Sequence, residues 1–190
     1  MIGLLMKTFS SILFILFLFS AQLHAHKWMT RMGKISFYSS TPVENIEAVN
    51  NQISALLETQ TGDVAFVVPI RGFKFEKALM QEHFNENYME SEQFPKATFK
   101  GTIVEYEKVD FTKYGKYIVT VKGQLTIHGV TKFVTITGAL QVEKNSTTIA
   151  SKFLVKPADY NIKIPSIAAS KIAEKIEVTV DCKLNPTRDK

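Results

Sequence analysis

Two histidines, a single cysteine and a short run of carboxylates are the residues of this chain whose types could do chemistry. His83 stands beside Glu82 and close to Glu86, with Glu90 and Glu92 shortly after, and His128 lies further on. Imidazole with carboxylate is the donor set of zinc and of general acid–base catalysis. The spacing argues against both. No two histidines stand at helical or hairpin ligand spacing, and no His/Cys cluster exists. Glu86, Glu90 and Glu92 fall in a polar stretch, where carboxylates form a solvated surface. No G-x-S-x-G, no nucleophile–base spacing and no glycine-rich phosphate loop occurs. A triad assembled across strands is the one catalytic arrangement that the sequence leaves open. Cys182 is the only cysteine, so no internal disulfide is available and the fold rests on its core. It shares an alternating register with Ile176, Val178, Val180 and Leu184, which marks a buried, inert thiol and not a nucleophile. The sequence predicts no catalytic residue, no metal and no cofactor.

The elements around these residues say more. Tyr117, Val119, Val121, Leu125 and Ile127 occupy every second position, separated by Thr120, Lys122, Gln124 and Thr126. After His128-Gly129 the alternation resumes with Val134, Ile136, Leu140 and Val142 on one face. Side chains of a strand point to opposite faces in turn, so each half reads as a strand with one buried face. Gly129 permits a tight reversal, which makes the pair an antiparallel hairpin, with His128 a turn residue.

Further strands are expected at Lys34 to Ser40, Gln52 to Glu58, Val64 to Ile70, Ala97 to Glu107, Ile149 to Val155 and Ile176 to Leu184. His26 to Gly33 reads as a lead-in and Asn185 to Lys190 as a polar tail. Val43 to Asn51 fits either a short helical turn or the start of a strand. Phe75 and Leu79, then Met80, Phe84 and Tyr88, recur at intervals of four, predicting an amphipathic helix of roughly three turns. A second short helix is possible near Ile167 to Ala173. About eight short strands in meander order with one main helix describe an all-β fold, a closed antiparallel barrel. Closure removes exposed edges, and eight strands leave an interior that is either filled by side chains or holds a small ligand. Gly101, Gly123 and Gly138 fall on inward registers, where glycine relieves a bend or leaves room.

At 190 residues, with 45% hydrophobic and 22% charged content, the chain suits one ordinary domain. Residues 1–25 stand apart from it. Lys7 precedes an uninterrupted apolar run, Ile12 to Phe19, and small or polar residues follow from Ser20 to Ala25. That layout is a cleaved secretory signal, too short in its apolar run to span a bilayer, with cleavage expected near Ala25. The predicted domain is therefore 26–190, exported to the periplasm or secreted. The formal charge of +5 falls to +4 without Lys7. No basic run interleaved with aromatics appears, which excludes a nucleic-acid partner, while scattered lysines suit at most a transient membrane-surface contact.

Two motifs carry a family resemblance. Leu125-Thr126-Ile127-His128-Gly129-Val130-Thr131-Lys132 resembles the most characteristic motif of the YceI-like family. Upstream, the helix at Phe75 to Phe84, the segment Asn87 to Phe94 and then Pro95-Lys96-Ala97-Thr98-Phe99 resemble that family's helix leading into its Y/F-P-x-x-x-F strand. The similarity covers Lys27 to about Leu184. The first half departs from it: Ile46-Glu47-Ala48-Val49-Asn50-Asn51-Gln52 stands where the family has a pattern of glycine and phenylalanine. The resemblance implies a lipocalin-like barrel whose apolar pocket holds an isoprenoid lipid, either a polyprenyl chain or an isoprenoid quinone, and a carrier without catalysis.

Such binding needs only a dry, elongated cavity with a few polar groups at its mouth. The wall candidates are Phe37, Phe66, Val68, Phe99, Val119, Val121, Ile136, Leu140, Phe153 and Val180, capped from the helix by Leu79, Met80 and Phe84. Each serves equally well as plain core packing. The competing reading is an envelope structural or protein-interaction module whose barrel is filled. The sequence fixes neither the lipid's head group nor an oligomeric state.

Overall fold

The computed structural model describes residues 26–187; the predicted signal segment lies outside the described residues. Nine strands form: β1 (Lys27–Ser40), β2 (Asn45–Glu58), β3 (Asp63–Pro69), β4 (Lys74–Phe75), β5 (Lys96–Ile103), β6 (Gly115–Ile127), β7 (Val130–Glu143), β8 (Ser146–Val155) and β9 (Ile176–Pro186). Eight of them close a ring, β1-β9-β8-β7-β6-β5-β3-β2, which returns to β1 through an antiparallel β1–β2 pair. Every pairing in it is antiparallel. The fold is thus the closed eight-stranded antiparallel barrel that the alternation predicts.

The β6–β7 hairpin turns where the sequence places it. His128 and Gly129 both have positive φ, 50° and 73°, the signature of the type I′ turn whose twist matches that of the flanking strands. The register runs from Ile127↔Val130 to Gly115↔Val142 without interruption.

The first half of the chain differs from its sequence reading, and β-bulges are the reason. β1 is one strand from Lys27, not a lead-in followed by a strand, and β2 is one strand from Asn45, with no helical turn. Their pairing slips twice, between Thr30 and Gly33 and between Gly33 and Ile35. In the second slip Asn50 and Ile53 of β2 oppose Ile35 and Gly33, so β2 carries one extra residue there. A bulge of this kind flips which positions face inward. Ala48 and Asn50 are buried before it and Ile53, Ala55 and Leu57 after it, so no single period-two pattern runs through the strand. Gly33 is required beside Cys182, because a Cβ there would overlap the thiol sulfur.

Pro69 ends β3, having no N–H to donate onward. The chain then leaves the ring and touches β2 again only through the two residues of β4. The buried Asn50 side chain bridges the gap. Its Nδ2 donates to the Pro69 carbonyl at 2.7 Å, and its Oδ1 accepts from Gln52 N–H at 2.8 Å.

The helix is shorter than expected. Phe75 belongs to β4, the α-helical part is α1 (Ala78–His83), and Phe84–Tyr88 widens into a π turn. Asn85 Nδ2 bonds the Gln81 carbonyl at 2.7 Å, and Met89 N–H reaches the Phe84 carbonyl. None of its residues is fully buried, because the segment lies over an opening instead of on a core. Three smaller bounds also shift. β5 ends at Ile103, where the chain turns through Glu105 at φ 54°; β9 includes Asn185 and Pro186, paired to Met29 and Trp28; and only a 3-10 turn, Ser166–Ala168, stands where a second helix was possible.

Candidate functional site

The two ends of the barrel are built differently. At one end the strands are joined by the tight turns after β2 and β7 and by the β5–β6 connection, and Leu57, Val142 and Leu184 are wholly buried. At the other, two long connections run: β3 to β5, carrying α1, and β8 to β9, from Lys156 to Lys175. Between them lies a cavity of about 830 Å³. On β6 its wall extends from Val119 to Ile127, which at ~3.4 Å per residue is roughly 27 Å along the strand, or about 20 Å of barrel axis after strand tilt. The interior is hollow and deep, not filled.

All the predicted wall residues line this cavity. Phe37 reaches in from β1, Phe66 and Val68 from β3, and Phe99 from β5. Val119 and Val121 come from β6, Ile136 and Leu140 from β7, Phe153 from β8 and Val180 from β9. Leu79 and Met80 from α1 and Phe84 from the π turn border the open end. Period two brings the strand residues together, since every second side chain of a closed sheet points to the axis.

The inward glycines are not what makes the room. Gly101 and Gly123 oppose each other across β5 and β6. A Cβ on Gly123 would strike the Lys100 carbonyl oxygen, and the Phe99 ring lies over Gly101. They allow close strand approach, the commoner use of a strand glycine.

Other lining residues escaped the sequence reading. Phe73 and Phe75 join Phe37 and Phe84 in one aromatic cluster, with Phe37–Phe73, Phe37–Phe84 and Phe75–Phe84 centroids 5.2, 5.5 and 5.0 Å apart. Offset and edge contacts of this kind are favourable for aromatic rings. They pin the π turn to β1, and so fix the helix over the opening. The signal was present as Phe73-Lys74-Phe75 alternation, masked by the helical spacing that begins at Phe75. The β8–β9 connection adds Ile162, Ile164, Pro165, Ile167 and Ile172, which no periodicity flags because the segment is irregular.

Charge is confined to the mouth. The charged or titratable lining residues are Glu44, Lys77, His83 and Lys171, and Lys77 Nζ sits 3.3 Å from Glu44 Oε1. His83 therefore borders the opening, while Glu82 and Glu86 are exposed on the helix and Glu92 is paired with Arg71 at 2.9 Å. His128 is elsewhere and is more than a turn residue. Its ring packs 4.4 Å from Phe94, its Nδ1 lies 3.2 Å from the Tyr160 carbonyl oxygen, and its Nε2 lies 3.5 Å from Glu90 Oε1. It bolts the hairpin tip to both long connections. Among the described residues no three His, Cys, Asp or Glu side chains are placed to hold a metal ion. Cys182 is fully buried, and burial pushes its thiol up to about 11.

Comparison with known proteins follows this geometry. The YceI-like domain model matches residues 26–184. No curated protein is similar to the chain in sequence. Among solved structures, a polyisoprenoid binding domain from Saccharophagus degradans superimposes with a TM-score of 0.74 at 16% identity, over 86% of this chain and 99% of that one. BcnA from Burkholderia cenocepacia gives 0.66 at 18% identity, over 80% and 95%. The YCEI protein of Campylobacter jejuni gives 0.54 at 16% identity, over 72% and 82%.

Proposed function

The chain belongs to the YceI-like domain family, and from that premise we propose that it is a non-catalytic binding protein that carries an isoprenoid lipid in the barrel. The observation that carries this reading is the cavity itself, deep, apolar along its walls and charged only at its mouth. Burying apolar surface contributes about 0.8 kcal/mol per methylene. A polyprenyl chain therefore binds through length, without conspicuous site residues. A five-carbon unit contributes on the order of 3 kcal/mol before the cost of ordering the chain. The Saccharophagus degradans domain, described as polyisoprenoid binding, supports the same ligand class. A polar head, a quinone or a phosphate, rests at the mouth near Lys77, His83 and Lys171. The reading requires no metal or cofactor. With removal of residues 1–25 near Ala25, the carrier works in the periplasm or outside the cell, and the hollow interior argues against a filled-barrel interaction module.

Native mass spectrometry with organic extraction tests this on protein purified from its own envelope. A co-purifying polyprenyl or quinone mass, reduced by Val121→Thr in a protein that still unfolds cooperatively, is the expected result. A barrel that is empty and takes up no added isoprenoid overturns it.

A further inference from the structure

An isoprenoid is insoluble in water and resides in a bilayer, so a carrier's mouth must meet one. This inference rests on the cavity being a lipid site, and the lip of the mouth adds an independent observation. Ile167 lines the cavity yet is 87% exposed, at the tip of the β8–β9 connection beside Pro165. Leu79 lines the opposite lip and is 60% exposed. The apolar wall thus continues outward onto the surface on both sides of the opening.

Charge singles out one lip. From Asn161 to Lys175 the connection carries Lys163, Lys171 and Lys175, all exposed, against a single carboxylate, Glu174. Glu174 is itself occupied by Lys156 at 2.6 Å. The helical lip instead carries Glu82 and Glu86, both exposed, and Lys77 is paired with Glu44. Attraction to an anionic surface is therefore one-sided. It turns the Ile167 tip, not the helix, toward the headgroups.

We propose that the β8–β9 connection is a membrane-docking tip. Ile167 inserts at the headgroup boundary of an anionic bilayer, and Lys163 and Lys171 contact lipid phosphates on either side. Apolar insertion with flanking cations is the usual basis of reversible interfacial binding. Docking there sets the open mouth against the bilayer, so a chain passes between membrane and cavity without crossing water.

The test is co-sedimentation of the mature chain with phosphatidylglycerol/phosphatidylcholine vesicles that contain no isoprenoid. The expected result is binding at low salt that weakens with added salt. Ile167→Asp should reduce it about tenfold, the loss of one inserted aliphatic side chain. Lys163→Ala with Lys171→Ala should weaken it and flatten the salt dependence. Phe133→Asp, at an outer-wall position that is 73% exposed, should leave it unchanged. A wild-type chain that stays in the supernatant, or equal losses from Ile167→Asp and Phe133→Asp, overturns the proposal. Isoprenoid added from ethanol separates the two ideas. Uptake by Ile167→Asp as by wild type supports docking as a distinct step. A chain that binds vesicles through Ile167 but never fills supports docking while removing the cavity reading.

Discussion

The closed and open ends of the barrel are made from the same strands and the same alternation, yet they have opposite contents. At the closed end Leu57, Val142, Leu184 and Cys182 are fully buried, and Gly33 leaves space for the cysteine sulfur. At the open end Leu79 and Ile167 border a cavity and face solvent. The difference lies in the connections. Short turns let opposite walls converge and fill the barrel with their own side chains. The long connections, 69–96 and 155–176, hold the walls apart and cover the gap with a helix and an irregular segment. Apolar alternation therefore gives an inside, and connection length decides whether that inside is solid or hollow.

Four measurements break or sharpen this contrast. The largest effect belongs to the solid end. Leu57→Ala removes a side chain with no exposed surface and should cost about 2–5 kcal/mol in denaturant unfolding. A cost below 1 kcal/mol would mean that this end is also loosely packed. Cys182 provides a chemical probe of the same end. With its thiol at about 11 and no solvent contact, it should resist a disulfide reagent at pH 8 until the protein unfolds. Because the folded thiol titrates above its ordinary value of 9.0, the folded state retains that proton longer. Its contribution is complete below 9.0 and is lost as pH rises through about 11.

Gly129→Ala tests how the hairpin tip is fastened. Gly129 sits at φ 73°, and a Cβ would press on the Phe94 ring. The left-handed conformation alone costs about 1–2 kcal/mol, read as a lowered melting temperature. The accompanying exchange of amides near Glu90 and Tyr160 should quicken, since His128 ties both segments to this turn. The smallest effect is expected at the open end. Leu79→Ser, at a side chain that packs against little, should change stability by no more than about 0.5 kcal/mol while slowing lipid uptake. A stability loss as large as that of Leu57→Ala would show that the mouth is core after all.

By itself, the sequence determined the barrel, its central hairpin and the inward set. Val119, Val121, Ile136 and Leu140 could be assigned to one interior because period two has only two faces and one of them is apolar. His128-Gly129 could be assigned to a reversal because glycine accepts positive φ. Tertiary structure decided the rest. Asn50 and Ile53 both face inward only because a bulge flips the parity between them, and nothing in Asn51-Gln52 announces it. Phe75 was assigned to a helix by its spacing to Leu79, yet it lies in a two-residue strand held by the Phe37–Phe84 aromatic cluster. Ile162, Ile164 and Ile167 belong to the mouth through the path of an irregular connection, which has no period to read. Regular elements repeat their geometry along the chain and so leave a pattern in it. Bulges, π turns and long connections are set by what they pack against, and that is known only once the barrel has closed.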